Sequence, residues 1–216
     1  FKKEILLHGD VTIKYKIKQI PTYICKLDNE NECDCYLNSS IQLLFHLAKF
    51  RSLLFSLHIQ KDFFWLSQLR DLFTKMCSYK TSTNTKLLTE SFGWPSVARH
   101  IPHDSAEFID FILDNFRKIS KDAKNQSIFD KVFASQIFAK IVSQSNEITY
   151  KTSIQYTIGI SSLKGSLMKR IAEEFENKKF QKLPEVLFLS IFNYYPYIEG
   201  LPKTLDLSNF IDPNLI

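Results

Sequence analysis

Cys35 stands just before an apolar run with helical spacing, in which Leu37, Ile41, Leu44, Phe45 and Ala48 share one face. That spacing predicts Cys35 at or next to a helix N-terminus. There, unpaired backbone N–H groups and the positive end of the helix dipole favour a thiolate. A thiolate is the form of cysteine that attacks a carbonyl carbon. Most cysteines in apolar settings are packing residues instead, and that reading is taken for Cys25 and Cys77. Cys33 and Cys35 are too close for a usual zinc pair, and no second pair follows at zinc-ribbon spacing, so no metal is expected.

Acyl transfer through a thiolate needs a base, a residue that orients the base, and donors for the oxyanion. The histidines on offer are His8, His46, His58, His100 and His103. Asn29 and Asn31 lie in the polar, acidic stretch from Leu27 to Asp34 that leads to Cys35. Asp28, Glu30, Glu32 and Asp34 place four carboxylates there, expected on an exposed loop.

Four groups of residues, taken in order, resemble the ubiquitin-specific proteases. Cys35-Tyr36-Leu37-Asn38-Ser39 with Gln42-Leu43-Leu44-Phe45 is similar to that family's cysteine box. Ser91-Phe92-Gly93-Trp94 leads to His103-Asp104-Ser105-Ala106-Glu107-Phe108 and Ile112-Leu113-Asp114, which resembles its Gln-Gln-Asp-Ala-x-Glu-Phe box. Leu183-Pro184-Glu185-Val186-Leu187-Phe188-Leu189-Ser190-Ile191 resembles a Leu-Pro-Pro-x-Leu-x-Leu-x-Leu strand. Leu201-Pro202-Lys203-Thr204-Leu205-Asp206-Leu207 resembles the Phe-Pro-x-x-Leu-Asp-Leu after it. Together these cover roughly residues 27 to 216.

The resemblance implies a papain-like cysteine protease of α+β fold, with a helical thumb followed by β-rich fingers and palm. Residues 1–27 would form a strand-containing N-terminal segment, 28–125 the thumb, and 126–216 the fingers and the start of the palm. Cys35 would be the nucleophile and Asn29 the oxyanion donor, with Asn31 the alternative. The interval from Asn29 to Cys35 is one residue longer than the family's, no glycine follows the asparagine, and Asp34 replaces its usual threonine. Asp104, Trp94 and His103 would meet substrate. His103 follows Cys35 in papain order but occupies the second glutamine of the Gln-Gln-Asp box. The family's catalytic histidine belongs to a Gly-His-Tyr box that no part of this chain resembles, so the chain is expected to be an N-terminal portion whose C-terminal part is missing. The partners implied are ubiquitin and ubiquitinated proteins, and the four carboxylates before Cys35 would receive arginines of ubiquitin's tail or stay solvated. No cofactor is implied.

The elements that must position these residues can be read coarsely. Val11 to Lys18 alternates apolar and cationic residues as a half-buried strand would. A second helix is expected from Asp62 to Cys77 with Leu66, Leu69, Phe73 and Met76 inward, and a loop from Lys80 to Thr85. Asp104 reads as an N-cap with Glu107 completing a capping box, and Phe108, Phe111, Ile112 and Asn115 form a stripe. From about Ile128 the period becomes two, predicting strands through Phe133–Ile141 and Tyr156–Ile160. Leu163 to Phe175 returns to a helix, and Val186 to Phe192 reads as a buried strand.

Composition bounds the rest. The 216 residues, 44% of them hydrophobic, can build a core, and Phe1 is not an initiator methionine, so a longer parent chain is expected. No apolar run is long enough for a membrane span and no signal-peptide pattern opens the chain. Five glycines leave no phosphate-cradling run. Net charge is +5, but the lysines are scattered along the sequence, so nucleic acid is not an expected partner. Reduced thiols point to an intracellular compartment, cytoplasmic or nuclear. Two functions follow: a ubiquitin-specific cysteine protease cleaving after ubiquitin's C-terminal glycine, or an inactive relative that binds ubiquitin through the same surface.

Overall fold

A computed structural model describes residues 25–29, 33–57, 63–78, 82–93, 103–119, 123–160, 166–191 and 204–213. The strand expected at Val11–Lys18 lies outside them, as do Asn31, His8, His58, Trp94 and His100. The chain divides into two compact units between Phe111 and Ile112. Helices come first and strands later, an α+β arrangement as expected.

In the first unit, β1 (Lys26–Leu27) pairs in parallel with β2 (Ser82–Thr83), inside the stretch expected to be loop. Helix α1 (Cys35–His46) buries Tyr36, Leu37, Ser40, Ile41, Leu44 and Phe45. The expected stripe does not continue to Ala48. Leu47 adopts an extended conformation (φ −78°, ψ 103°), and an exposed Ala48 opens a separate helix, α2 (Ala48–Ser56). The break leaves carbonyls at the end of α1 without helical partners. Buried Arg51 answers one of them, donating from Nη1 to the Phe45 carbonyl while its guanidinium lies 5.5 Å from the Phe45 ring centroid. Arg70 does the same for α2, donating to Leu54 (2.9 Å) and Leu57 (2.6 Å) from helix α3 (Phe64–Ser78).

Helix α3 buries Leu66, Leu69, Phe73 and Met76 as its spacing predicts, with Trp65, Leu72 and Cys77 beside them. The Phe73 ring meets Phe45 edge-on at 5.2 Å and lies 6.0 Å from Phe50. A short helix α4 (Lys86–Ser91) follows, then α5 (Ser105–Ile119). The buried face of α5 is rotated from the expected stripe. It carries Phe108, Ile109, Ile112, Leu113 and Phe116, while Phe111 and Asn115 are half-buried. Phe111 lies against Phe92 (5.5 Å) and Trp65 (6.2 Å).

The second unit corrects one element. Ile128 to Phe133 is not strand but the end of helix α6 (Ala123–Phe133), which buries Phe129, Val132 and Phe133 at i, i+3, i+4 spacing. Arg117 grips Asp130 with two bonds, at 2.7 and 3.0 Å. The strands begin after Ala134. β3 (Ser135–Val142) turns through Asn146, at φ 60°, into β4 (Ile148–Gln155), and β6 (Lys178–Lys182) lies on the other side of β3, all antiparallel. β5 (Thr157–Ile160) and β7 (Phe188–Ile191) form a parallel pair. β7 is shorter than expected, and only Phe188 in it is fully buried; Phe192 lies outside the described residues. Helix α7 (Leu167–Glu174) begins at Ser166, whose hydroxyl accepts from the Lys169 amide. Ile137, Ile158, Ile160, Leu167, Ile171, Phe175, Phe180 and Phe210 make this unit's core.

Replacing the fully buried Phe116 with alanine is expected to cost about 3–5 kcal/mol in urea unfolding. Ile128→Ala, on an exposed position, should stay within about 0.5 kcal/mol. Equal losses at both sites would contradict this assignment of core and surface.

Candidate functional site

The site is built on the first turn of α1. Cys35 is the helix's first residue and its side chain is exposed; Cys33 is half-buried and Cys25 and Cys77 are buried. Burial pushes the thiols of Cys25 and Cys77 up, with Asp28 adding to the effect at Cys25 and Arg51 partly opposing it at Cys77. Both therefore stay protonated and inert at neutral pH. The helix's first intrahelical bond runs from the Asn38 amide to the Asp34 carbonyl (2.8 Å), so the amides of Cys35, Tyr36 and Leu37 form the electropositive end around the thiol.

Asp34 is not the exposed loop residue its sequence predicts. It is 6% exposed and occupies the N-cap position at φ −85°, ψ 8°, without a side-chain cap bond. Asn29 Oδ1 accepts from the Asp34 amide at 2.9 Å, bringing the candidate oxyanion donor to the residue next to Cys35. With Oδ1 accepting, the Nδ2 group of Asn29 is left to donate.

What holds Asn29 there is a pair of amides on α1. Asn38 Nδ2 donates to the carbonyls of Leu27 (3.4 Å) and Asp28 (3.1 Å), and Gln42 Nε2 donates to that of Cys25 (2.6 Å). From the other side, the Asp28 amide donates to the Thr83 carbonyl (2.9 Å), extending the β1–β2 pairing. Oδ1 of Asn38 and Oε1 of Gln42 are buried and accept nothing among the described residues. Neither role is apparent from the family words alone. The signal was an i, i+4 pair of amides, Asn38 and Gln42, on one side of α1.

Tyr36 ties this turn to the start of α5. Its buried ring meets His103 edge-on at 5.2 Å and Phe108 at 5.8 Å. Ser40 Oγ donates to the Tyr36 carbonyl (2.8 Å) and reaches that of Ser105 (3.4 Å). Asp104 is exposed, and its Oδ1 accepts from the amides of Ala106 (2.6 Å) and Glu107 (3.4 Å), the capping half of the expected box. Cys35, Asn29, His103 and Asp104 are thus all joined to one helical turn, while Trp94 lies outside the described residues. His46 is exposed, with Nδ1 2.8 Å from the Gln42 carbonyl. Eleven residues along α1 place it about 16 Å from Cys35, too far for it to take the thiol's proton.

Among the described residues no helix is long and apolar enough to cross a membrane. The sequence profile described as "Ubiquitin carboxyl-terminal hydrolase" matches residues 25–210. Ubiquitin carboxyl-terminal hydrolase 15 of Schizosaccharomyces pombe is 26% identical over 92% of this chain and 20% of its own length. The Saccharomyces cerevisiae protein of the same name is 22% identical over 94% of this chain and 20% of its own. Ubiquitin carboxyl-terminal hydrolase 47 of Drosophila melanogaster is 30% identical over 48% and 7%. The chain spans a fifth or less of the length of these relatives.

Two outcomes are expected. Burial, then the charges of Asp34, Cys33 and Cys35, pushes the Tyr36 hydroxyl up to about 12. A tyrosine in the unfolded chain ionises near pH 10, so between about 10 and 12 the folded state holds a proton the unfolded state has lost, and stability falls as pH rises. Tyr36→Phe should shallow that alkaline fall in urea unfolding, and an unchanged slope would assign the loss to other groups. Asn38→Ala leaves two carbonyls unpaired and should speed hydrogen exchange at the Asp28 amide, with a stability loss of about 1–3 kcal/mol. Unchanged exchange at Asp28 in the folded variant would mean that α1 does not hold β1.

Proposed function

This chain belongs to the ubiquitin carboxyl-terminal hydrolase family, and on that premise we propose that it carries the nucleophile of a cysteine-type deubiquitinase acting on ubiquitin conjugates. The observation that carries the reading is the contrast among the thiols: Cys35 is exposed at a helix start, while Cys25 and Cys77 are buried. In this reading the Cys35 thiolate attacks the carbonyl of ubiquitin's C-terminal glycine. The oxyanion that forms is met by Asn29 Nδ2. The intermediate collapses to a thioester as the substrate amine leaves with a proton, and water then hydrolyses the thioester. Residues 28–125 would act as the thumb and 126–216 as the fingers and first part of the palm.

The base is a histidine that no described residue supplies. His46 is at the wrong end of α1, and His103 lies against Tyr36, where with Asp104 and Trp94 it would contact ubiquitin's tail. Such a protein would act inside the cell, where ubiquitin conjugates are found. A second reading, an inactive relative that binds ubiquitin on the same surface, is favoured by one observation. A buried Asp34 stands one residue before Cys35, where the family pattern has threonine.

The test is a ubiquitin probe with a thiol-reactive group at its C-terminus, applied to the full-length protein. Labelling should map to Cys35 alone and vanish in Cys35→Ala. An adduct on Cys33 would overturn the assignment. A protein that binds ubiquitin yet forms no adduct would establish the inactive reading.

A further inference from the structure

β4 is an edge strand. In the order β4-β3-β6 its outer side pairs with no strand among the described residues. The Ser143 amide donates to the Glu147 carbonyl at 2.9 Å, which sets the phase of the β3–β4 ladder. In an antiparallel ladder, residues alternate between facing the partner strand and facing away. Thr149, Lys151 and Ser153 therefore face β3 with their backbone groups. Ile148, Tyr150, Thr152 and Ile154 turn theirs outward. The opposite phase at Lys140, whose amide donates to Asn177 on the β6 side, agrees with this.

The same outward-facing residues carry exposed apolar side chains. Ile148 is 52% exposed, Tyr150 61% and Ile154 49%, and across the pairing Val142 is 54% exposed. The Tyr150 ring stacks flat on Phe138 at 5.2 Å, so this face is ordered rather than a set of loose side chains. A soluble protein seldom leaves a long strand edge and an apolar face uncovered together.

Charge selects the occupant. Lysines scattered along the sequence converge on this sheet: Lys140, Lys151, Lys178, Lys179 and Lys182 lie in β3, β4 and β6, and those strands contain no aspartate or glutamate. Among the described residues only Lys178 of these has a carboxylate partner, Glu174. Lys140 stands opposite Tyr150 in the register and Lys179 opposite Phe138, so both flank the apolar face. In an antiparallel copy of β4 centred on Lys151, that lysine would meet its equivalent, which is repulsive. We propose that the outer edge of β4 and its lysine-flanked apolar face receive an extended acidic segment of a partner protein as an added β-strand. Main-chain bonds to Ile148, Tyr150, Thr152 and Ile154 would give affinity. Alternate apolar side chains would lie on Tyr150 and Ile154, and the carboxylates between them would meet Lys151 on the other face. The proposal is independent of whether Cys35 is reactive.

The test uses the full-length protein and a fluorescent ten-residue peptide alternating glutamate with valine. The peptide should bind and slow hydrogen exchange at Ile148, Tyr150, Thr152 and Ile154. N-methylation of alternate peptide amides should abolish binding, because it removes the ladder donors while leaving charge intact. Lys151→Glu should weaken binding roughly fivefold and admit the lysine–valine peptide instead. Equal binding by the N-methylated peptide would overturn strand addition, and so would protection confined to other strands. Equal binding by the lysine–valine peptide to the unaltered protein would overturn the acidic partner. Displacement of the peptide by a short oligothymidine that binds the same residues more tightly would reassign the face to single-stranded nucleic acid.

Discussion

Everything around Cys35 depends on two side-chain amides of α1. Asn38 and Gln42 are one helical turn apart and reach the carbonyls of Cys25, Leu27 and Asp28, holding a strand too short to persist alone. β1 has two residues and pairs with a two-residue partner; isolated pairs of that length do not survive in water. With the amides in place, the chain leaves β1 at a fixed point, and Asn29 reaches the Asp34 amide beside Cys35. In this chain Asn38 and Gln42 are the supports on which the position of Asn29 rests.

The same turn carries opposing electrostatics. The first turn of α1 puts unpaired amides next to a buried Asp34. Tyr36 records that crowding, because its hydroxyl is driven up by burial first and then by the charges of Asp34, Cys33 and Cys35. A neutral Tyr36 can pack its ring on His103 and Phe108 without bringing another charge to the turn. Aromatic packing thus joins the cysteine helix to the Asp104 turn, where a polar contact would have added to the load.

Much of this was legible in the sequence, and the failures have physical causes. Helix α3 was read correctly because four inward residues, Leu66 to Met76, repeat at helical spacing within a helix of 15 residues. α1 was read correctly at its start and too long at its end. Spacing cannot register the extended backbone at Leu47, which Arg51 makes tolerable from outside the pattern. Ile128–Phe133 misled because Phe133, Ser135 and Ile137 continue an alternation backward into a helix, and Ala134, the last residue before β3, carries no breaking signal. Asp34 was placed in solvent because four carboxylates in a row look solvated, and burial of one member is a tertiary fact. The helix start at Cys35 and the Asp104 cap were visible because residue type is most constrained at helix starts. The amide supports were visible as letters but not as roles, since nothing local says what an i, i+4 amide pair will meet.

The β1–β2 pairing also has a consequence in time. Lys26 and Ser82 are about fifty residues apart in sequence, so joining them closes a long loop for very few bonds. Closure entropy must be met before such distant contacts contribute anything, whereas α1, α2 and α3 can form from neighbours in the chain. The helix that bears the thiol therefore precedes the strand that delivers Asn29. A nascent chain passes through a stage in which Cys35 heads a formed helix while Asn29 is still unplaced. The β1–β2 pairing closes last.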